Sequence, residues 1–203
     1  ITATYKSLPV IRPQGSISRE TPLLHLRPND TSAALFDHDD LLMPSALYEV
    51  RKAIRDSGAD FIYTDEIVFA SPDRAKIIAT HFKPDFAPDS VRGINYICHL
   101  TVFKKDLLER AGGGFRKEYD GSQDHDLFLR LTGRAKGIAH VSKVLYLWRS
   151  IPGSVAEDIQ HKEYAISAGR RAVKDFLREY RGIDADVQST EVFPTMYHMI
   201  YPI

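Results

Sequence analysis

The sequence has very little cysteine. Cys98 is the single one in 203 residues, so an internal disulfide is excluded and a reducing compartment suits the chain. Cys98 lies in the apolar run INYICHLTVF and reads as a small buried side chain, not as a nucleophile. Long hydrophobic runs are missing too. No stretch approaches the roughly 18 apolar residues of a bilayer span, and no charged-then-apolar leader is visible. Charge of one sign is not in excess, with 27 Lys plus Arg against 27 Asp plus Glu. The basic surplus of a nucleic-acid binder is therefore absent. There is no internal repeat and no low-complexity tract. What remains is an ordinary globular composition, 43% hydrophobic and 27% charged, in a length that suits one domain.

Strand and helix signals alternate along this chain. ITATY (1–5) reads as a strand, 6–30 as mostly irregular, and SAALF (32–36) as a short buried strand. Pro44 opens a helix in which Leu47, Val50 and Ile54 form one apolar face, and Ser57 and Gly58 end it. DFIYTDEIVF (60–69) reads as a strand, 71–93 as a long loop and INYICHLTVF (94–103) as another strand. KDLLERAGGG (105–114) is a short helix with a glycine stop, and DHDLFLRLTGR (124–134) a second helix. IAHVSKVLYLWR (138–149) is extended. The helix at 161–180 carries Ala165, Ala168, Ala172, Phe176 and Tyr180 on one stripe, and the tail from 187 is strand-like. The order predicts an α/β fold, in which ligands bind beyond the carboxyl ends of strands.

AALFDHDDLLMP (33–44) sits at such an end. Asp37 and Asp39, two apart, can turn oxygens toward one hard cation such as Mg²⁺ or Mn²⁺. The competing role is a helix cap, and Asp40, nearest the coming helix, fits that role. GSQDHDLFLR (121–130) starts a helix with Asp124 and Asp126, again either caps or a general base. Asp65 and Glu66 close the strand FIYT, where they either meet sugar hydroxyls or begin a loop. Lys83 reads as a solvated lysine, His99 as a half-buried satisfied histidine, and Trp148 as core.

FDHDDLLMPSALYEV, FIYTDE, FKPDFAPD, NYICHL, GGFRKEYDGSQDHDLFLRL and HVSKVLYLWRSIPGSVA follow one another in a telling order. From about residue 33 onward the chain resembles family 2 glycosyltransferases of the glycosyltransferase A fold. It is most similar to bacterial and viral enzymes that build rhamnose-containing or capsular glycans. In its most specific form the resemblance is to the first domain of a large-DNA-virus (chlorovirus-type) enzyme that glycosylates a capsid protein.

The resemblance implies a single α/β domain over 1–203, Rossmann-like, with a mixed, mostly parallel sheet flanked by helices. Its parts would be a nucleotide- and metal-binding part (1–40), a donor and acceptor part (41–155) and a C-terminal helix and tail (156–203), cut from a longer multidomain chain. It implies an inverting, metal-dependent transfer of sugar from a nucleotide-diphosphate sugar to a hydroxyl of a growing glycan or glycoprotein in the cytoplasm, the host's if viral. UDP-glucose or an activated rhamnose would be the donor. Asp37 would contact the ribose or the metal, and Asp39 would ligate Mn²⁺ or Mg²⁺. Gln123-Asp124 stands where the family carries Glu-Asp, making Asp124 the base. Thr4 and Tyr5 would contact the nucleotide, Asp65 the donor, and Arg149 or Ser154 the phosphates.

The chain also departs from the family. Thr21 and Pro22 replace Arg and Asn in the turn of GSISRETP, and Ile151 replaces a histidine after W-R. A non-catalytic nucleotide-sugar-binding relative is the alternative these departures keep open. An aspartate-nucleophile phosphohydrolase needs Thr or Val where this chain has Leu41, which argues against it.

Overall fold

The computed structural model describes residues 10–11, 31–37, 39–150 and 163–202. The expectations for the strand at 1–5 with Thr4 and Tyr5, for the turn at 15–22, and for Ile151 and Ser154 lie outside the described residues.

Nine strands are described: β1 (Val10–Ile11), β2 (Ser32–Leu35), β3 (Leu41–Leu42), β4 (Phe61–Ala70), β5 (Ile77–His81), β6 (Thr101–Lys104), β7 (Ile138–Ser150), β8 (Asp186–Ser189) and β9 (Tyr197–Ile200). The helices are α1 (Ala46–Ser57), α2 (Pro88–Gly93), α3 (Lys105–Arg110), α4 (Gln123–Arg134) and α5 (Glu163–Arg181), with a short 3₁₀ turn at Lys117–Tyr119. The main sheet runs β1-β2-β6-β4-β7-β3, and β5 pairs with β4; β8 and β9 form a hairpin of their own. The sheet is mixed, as expected. β1–β2 and β4–β7 are parallel, while β2–β6, β4–β6, β3–β7 and β4–β5 are antiparallel. The parallel share is smaller than expected because β6 runs back between β2 and β4.

Both faces of this sheet are covered, which is why its strands read as continuous apolar runs. Ala33, Leu35, Phe61, Tyr63 and Phe103 pack with Leu107, Leu127, Phe128, Leu131, Val173 and Phe176 on one side. The alternate residues Ala34, Ile62 and Val102 pack with Ala46, Val50, Leu145 and Tyr146 on the other. The α5 stripe is buried from Ala165 through Phe176, and it is joined by Gly169. A Cβ at Gly169 would lie 2.1 Å from Tyr197 Oη, so only glycine lets the β9 tyrosine lie against α5.

Several expectations need correction. The α1 N-cap is Ser45, so Pro44 precedes the helix. Leu47 is exposed, because the inward face of α1 is set by Ala46 and Val50. Gly58 does end the helix, with φ 69° and its N–H on the Ile54 carbonyl at 3.0 Å. The expected loop at 71–93 contains β5 and α2. Of the expected strand at 94–103 only residues 101–103 are strand, as the start of β6; the cause lies in the site described next. Among the described residues no helix is long and apolar enough to cross a membrane.

Candidate functional site

β4 changes partners midway. Phe61–Tyr63 pair with β6, and Glu66–Phe69 pair with β5. At the changeover the register with β7 shifts twice, between Thr64 and Glu66. Asp65 and Glu66 are buried at that irregularity.

Glu66 is 1% exposed and is held by three donors. His81 Nδ1 lies 2.7 Å from its Oε1, and Oε2 accepts from Lys83 Nζ at 3.2 Å and from the His99 backbone N–H at 3.1 Å. Lys83 is buried, contrary to the solvated lysine expected. Its ammonium also donates to the carbonyls of Ile97, at 2.6 Å, and His99, which uses all three of its protons. Those carbonyls therefore turn to Lys83 and not to a neighbouring strand, and this breaks the expected strand at 94–100.

Burial pushes Glu66 upward, but the His81 hydrogen bond and the Lys83 charge outweigh it and hold the carboxyl below its ordinary value of 4.5. A depressed acid stabilises the fold above its unfolded value and loses that contribution as pH falls through the native one. Urea midpoints should thus fall as pH drops below 4.5, and Glu66→Gln should flatten that fall. Equal acid slopes in both proteins would overturn the assignment. Asp40 has the opposite sign in that range, which is why the comparison is made in one background.

The pinned loop delivers His99 to the turn after β2. Its ring stacks on Tyr146 (centroids 4.8 Å apart, 16° between planes) and meets Trp148 edge-on at 6.0 Å. His99 Nε2 lies 3.5 Å from Asp37 Oδ2. Ligand atoms of Asp37, Asp40 and His99 all lie within 4.8 Å of one another. Tyr146 donates to Asp40 Oδ2 at 2.5 Å and accepts from the Asp37 N–H at 3.2 Å; the Arg149 N–H donates to Asp40 Oδ1 at 2.7 Å. Asp40 is thus no helix cap. It is buried against β7, and burial raises its carboxyl above the ordinary value despite the Arg149 and Tyr146 hydrogen bonds. The Arg149 guanidinium donates to the Asp39 carbonyl and lies 5.0 Å over the Phe69 ring. The Asp39 carboxylate is not one of the grouped ligand atoms, although Asp39 shares the turn.

Asp124 stands at the start of α4. Its Oδ2 accepts from Asn95 Nδ2 and its Oδ1 from the His125 N–H, each at 2.9 Å. Cys98 ties this residue to the rest of the site. Burial pushes its thiol far up, and Asp124, Glu66 and Asp37 all push it further through charge. The thiol donates to the Asn95 carbonyl at 3.1 Å, and Cys98 is half-buried where a buried side chain was expected. Asp126 has a different environment. It is 1% exposed and is clamped by Arg116 and Arg130, and Arg130 also holds the carbonyls of Ala111, Gly113 and Gly114. Asp65 accepts from the Lys83 N–H at 3.0 Å, with His140 Nε2 at 2.8 Å, and is not among the residues grouped with Asp37.

Reading the sequence missed Asp40 and His99 as members of this group. The available signal was a histidine inside an apolar run, at a point where a strand would gain nothing from it.

No family model matches the chain. Over 173 residues it is 42% identical to the uncharacterized protein y4gI of Sinorhizobium fredii, and over 166 residues 34% identical to the O-antigen biosynthesis protein RfbC of Myxococcus xanthus. These matches take in 84% and 81% of this chain, which spans only 19% and 12% of the relatives' lengths. Among solved structures it is similar to S. aureus TarS 1–349 in complex with UDP-GlcNAc, with TM-score 0.57 and 13% identity, covering 74% of this chain and 44% of that one. The same TarS region with UDP gives TM-score 0.50 and 16% identity, covering 75% and 48%. The likeness is one of fold, and the fold is the glycosyltransferase A type.

Proposed function

We propose that this chain is a catalytic glycosyltransferase domain that moves a sugar from a UDP-sugar to a hydroxyl of a growing glycan, with inversion and with a divalent cation. The observation that carries the reading is the grouping of Asp37, Asp40 and His99 in this fold, with Asp124 joined to the His99 segment through Asn95. The TarS structures hold UDP-GlcNAc and UDP, which supports a UDP-sugar donor. UDP-glucose and an activated rhamnose are the donors to try beside UDP-GlcNAc. RfbC is named for O-antigen biosynthesis and both relatives are bacterial, which favours a bacterial glycan acceptor over a viral capsid protein. We place the reaction in the cytoplasm, in keeping with the lone thiol.

The residues fit a cation. Two carboxylates and one imidazole offer two oxygens and a nitrogen, and the nitrogen favours Mn²⁺ over Mg²⁺. A cation here would also offset, through its charge, the desolvation that raises Asp40. Bound there, it would supply stabilisation of the charge that gathers on a departing diphosphate. The chain's own residues do the rest. Tyr146 and the Arg149 N–H fix Asp40, Lys83 and Glu66 fix the His99 loop, and Asp124 takes the proton of the acceptor hydroxyl as that oxygen attacks.

Calorimetric titration of UDP with and without Mn²⁺ tests this reading. Binding should require Mn²⁺ and be lost in Asp37→Ala and in Asp40→Ala. His99→Ala should lower the preference for Mn²⁺ over Mg²⁺. UDP affinity that ignores the cation and both aspartates would overturn the metal reading.

A further inference from the structure

Asn95 lies in the segment between α2 and β6 and is turned toward the start of α4. Its Nδ2 donates to Asp124 Oδ2 at 2.9 Å. Its own backbone carbonyl accepts the Cys98 thiol, which fixes the turn that carries it. Next to it, Tyr96 packs edge-on against Tyr63 and accepts the Ala87 N–H at 3.1 Å. The amide therefore stands on an anchored stretch of chain.

The other end of that amide is unusual. Among the described residues Asn95 Oδ1 is buried and has no hydrogen-bond partner. Buried polar atoms are nearly always satisfied, so an orphan calls for a reason. Here the orientation of the amide is set by Asp124 alone. Turning it over would bring its oxygen against a carboxylate oxygen and lose the one hydrogen bond it makes.

We infer that Asn95 is a positioning residue for Asp124, holding the carboxylate aimed at the expense of leaving its own oxygen unsatisfied. The inference rests on the reading of Asp124 as the base. With Asn95 on one oxygen and the His125 N–H on the other, the carboxylate cannot rotate freely. Among the described residues Asn95 is the side chain that hydrogen-bonds Oδ2.

The test is single-turnover transfer in wild type, Asn95→Ala and the isosteric Asn95→Asp, run beside calorimetric titration of UDP with Mn²⁺. Loss of the hydrogen bond that aims the carboxylate should lower kcat by about tenfold or more in Asn95→Ala. Asn95→Asp, which keeps the shape but sets a second carboxylate alongside, should lower it further. The donor KM and the UDP affinity should stay put in both variants. An unchanged kcat in both, or a loss that appears in KM and not in kcat, would overturn the inference. Slow Asn95 variants beside an Asp124→Asn protein that transfers at the wild-type rate would overturn the base assignment instead.

Discussion

Asp124→Asn should lower sugar transfer by about 10²–10⁴-fold and leave donor affinity unchanged, because it removes the acceptor of a proton without changing shape. The His125 N–H can still donate to the side-chain oxygen, so the start of α4 should keep its geometry. Single-turnover rates with saturating UDP-sugar measure the loss, and calorimetry with UDP and Mn²⁺ checks that binding survives. Transfer at the wild-type rate would move the base elsewhere. Asp126 would be a poor replacement, since two arginines already occupy its oxygens.

Asp126→Ala should cost about 3–5 kcal/mol of stability, because it strands two cations around a buried site. Arg130 is itself buried, and Arg116 is half-covered over the Tyr119 ring at 4.5 Å. Against a total of about 5–15 kcal/mol for a domain, that loss is large. The disturbance should reach the glycine-rich loop after α3, whose carbonyls Arg130 binds. Guanidinium unfolding of wild type and variant at one pH gives the difference. A midpoint within experimental scatter of wild type would mean that the arginines find other partners.

These two neighbouring aspartates show what a sequence can and cannot say. Both stand at the head of a helix, and local reasoning gives them the same two roles. One part of what separates them is local, since Arg130 is the i+4 neighbour of Asp126 on α4; the rest lies outside the helix, Arg116 for one and Asn95 for the other. Elements with a strong local signal were legible. SAAL and FIY are apolar on both faces because helices cover both faces, and the 19-residue α5 carries an unbroken stripe. β5 was not legible, since Ile77 and Ile78 are exposed and the strand exists by pairing with β4. NYICHL misled because its composition suits a strand while its carbonyls serve Lys83. Asp40 looked like a cap from its neighbours in sequence, and only Tyr146 and Arg149, far along the chain, give it another place.

The register shift between β4 and β7 has a consequence for how this site tolerates change. Thr64 pairs with Val141, and an unbroken ladder would set Glu66 against Lys143. The extra residues in β7 set it against Tyr146 instead. Three is an odd number, so the surplus also reverses which way each later side chain of β7 points. Adding or removing a single residue between Ser142 and Leu145 would put Tyr146 and Trp148 out of phase with His99 and the 37–40 turn. The first half of β7, already paired with Phe61–Tyr63, would be untouched. The strand behaves like a two-toothed gear, engaging the core with one end and the site with the other, and the timing between them is fixed by the length of that short surplus.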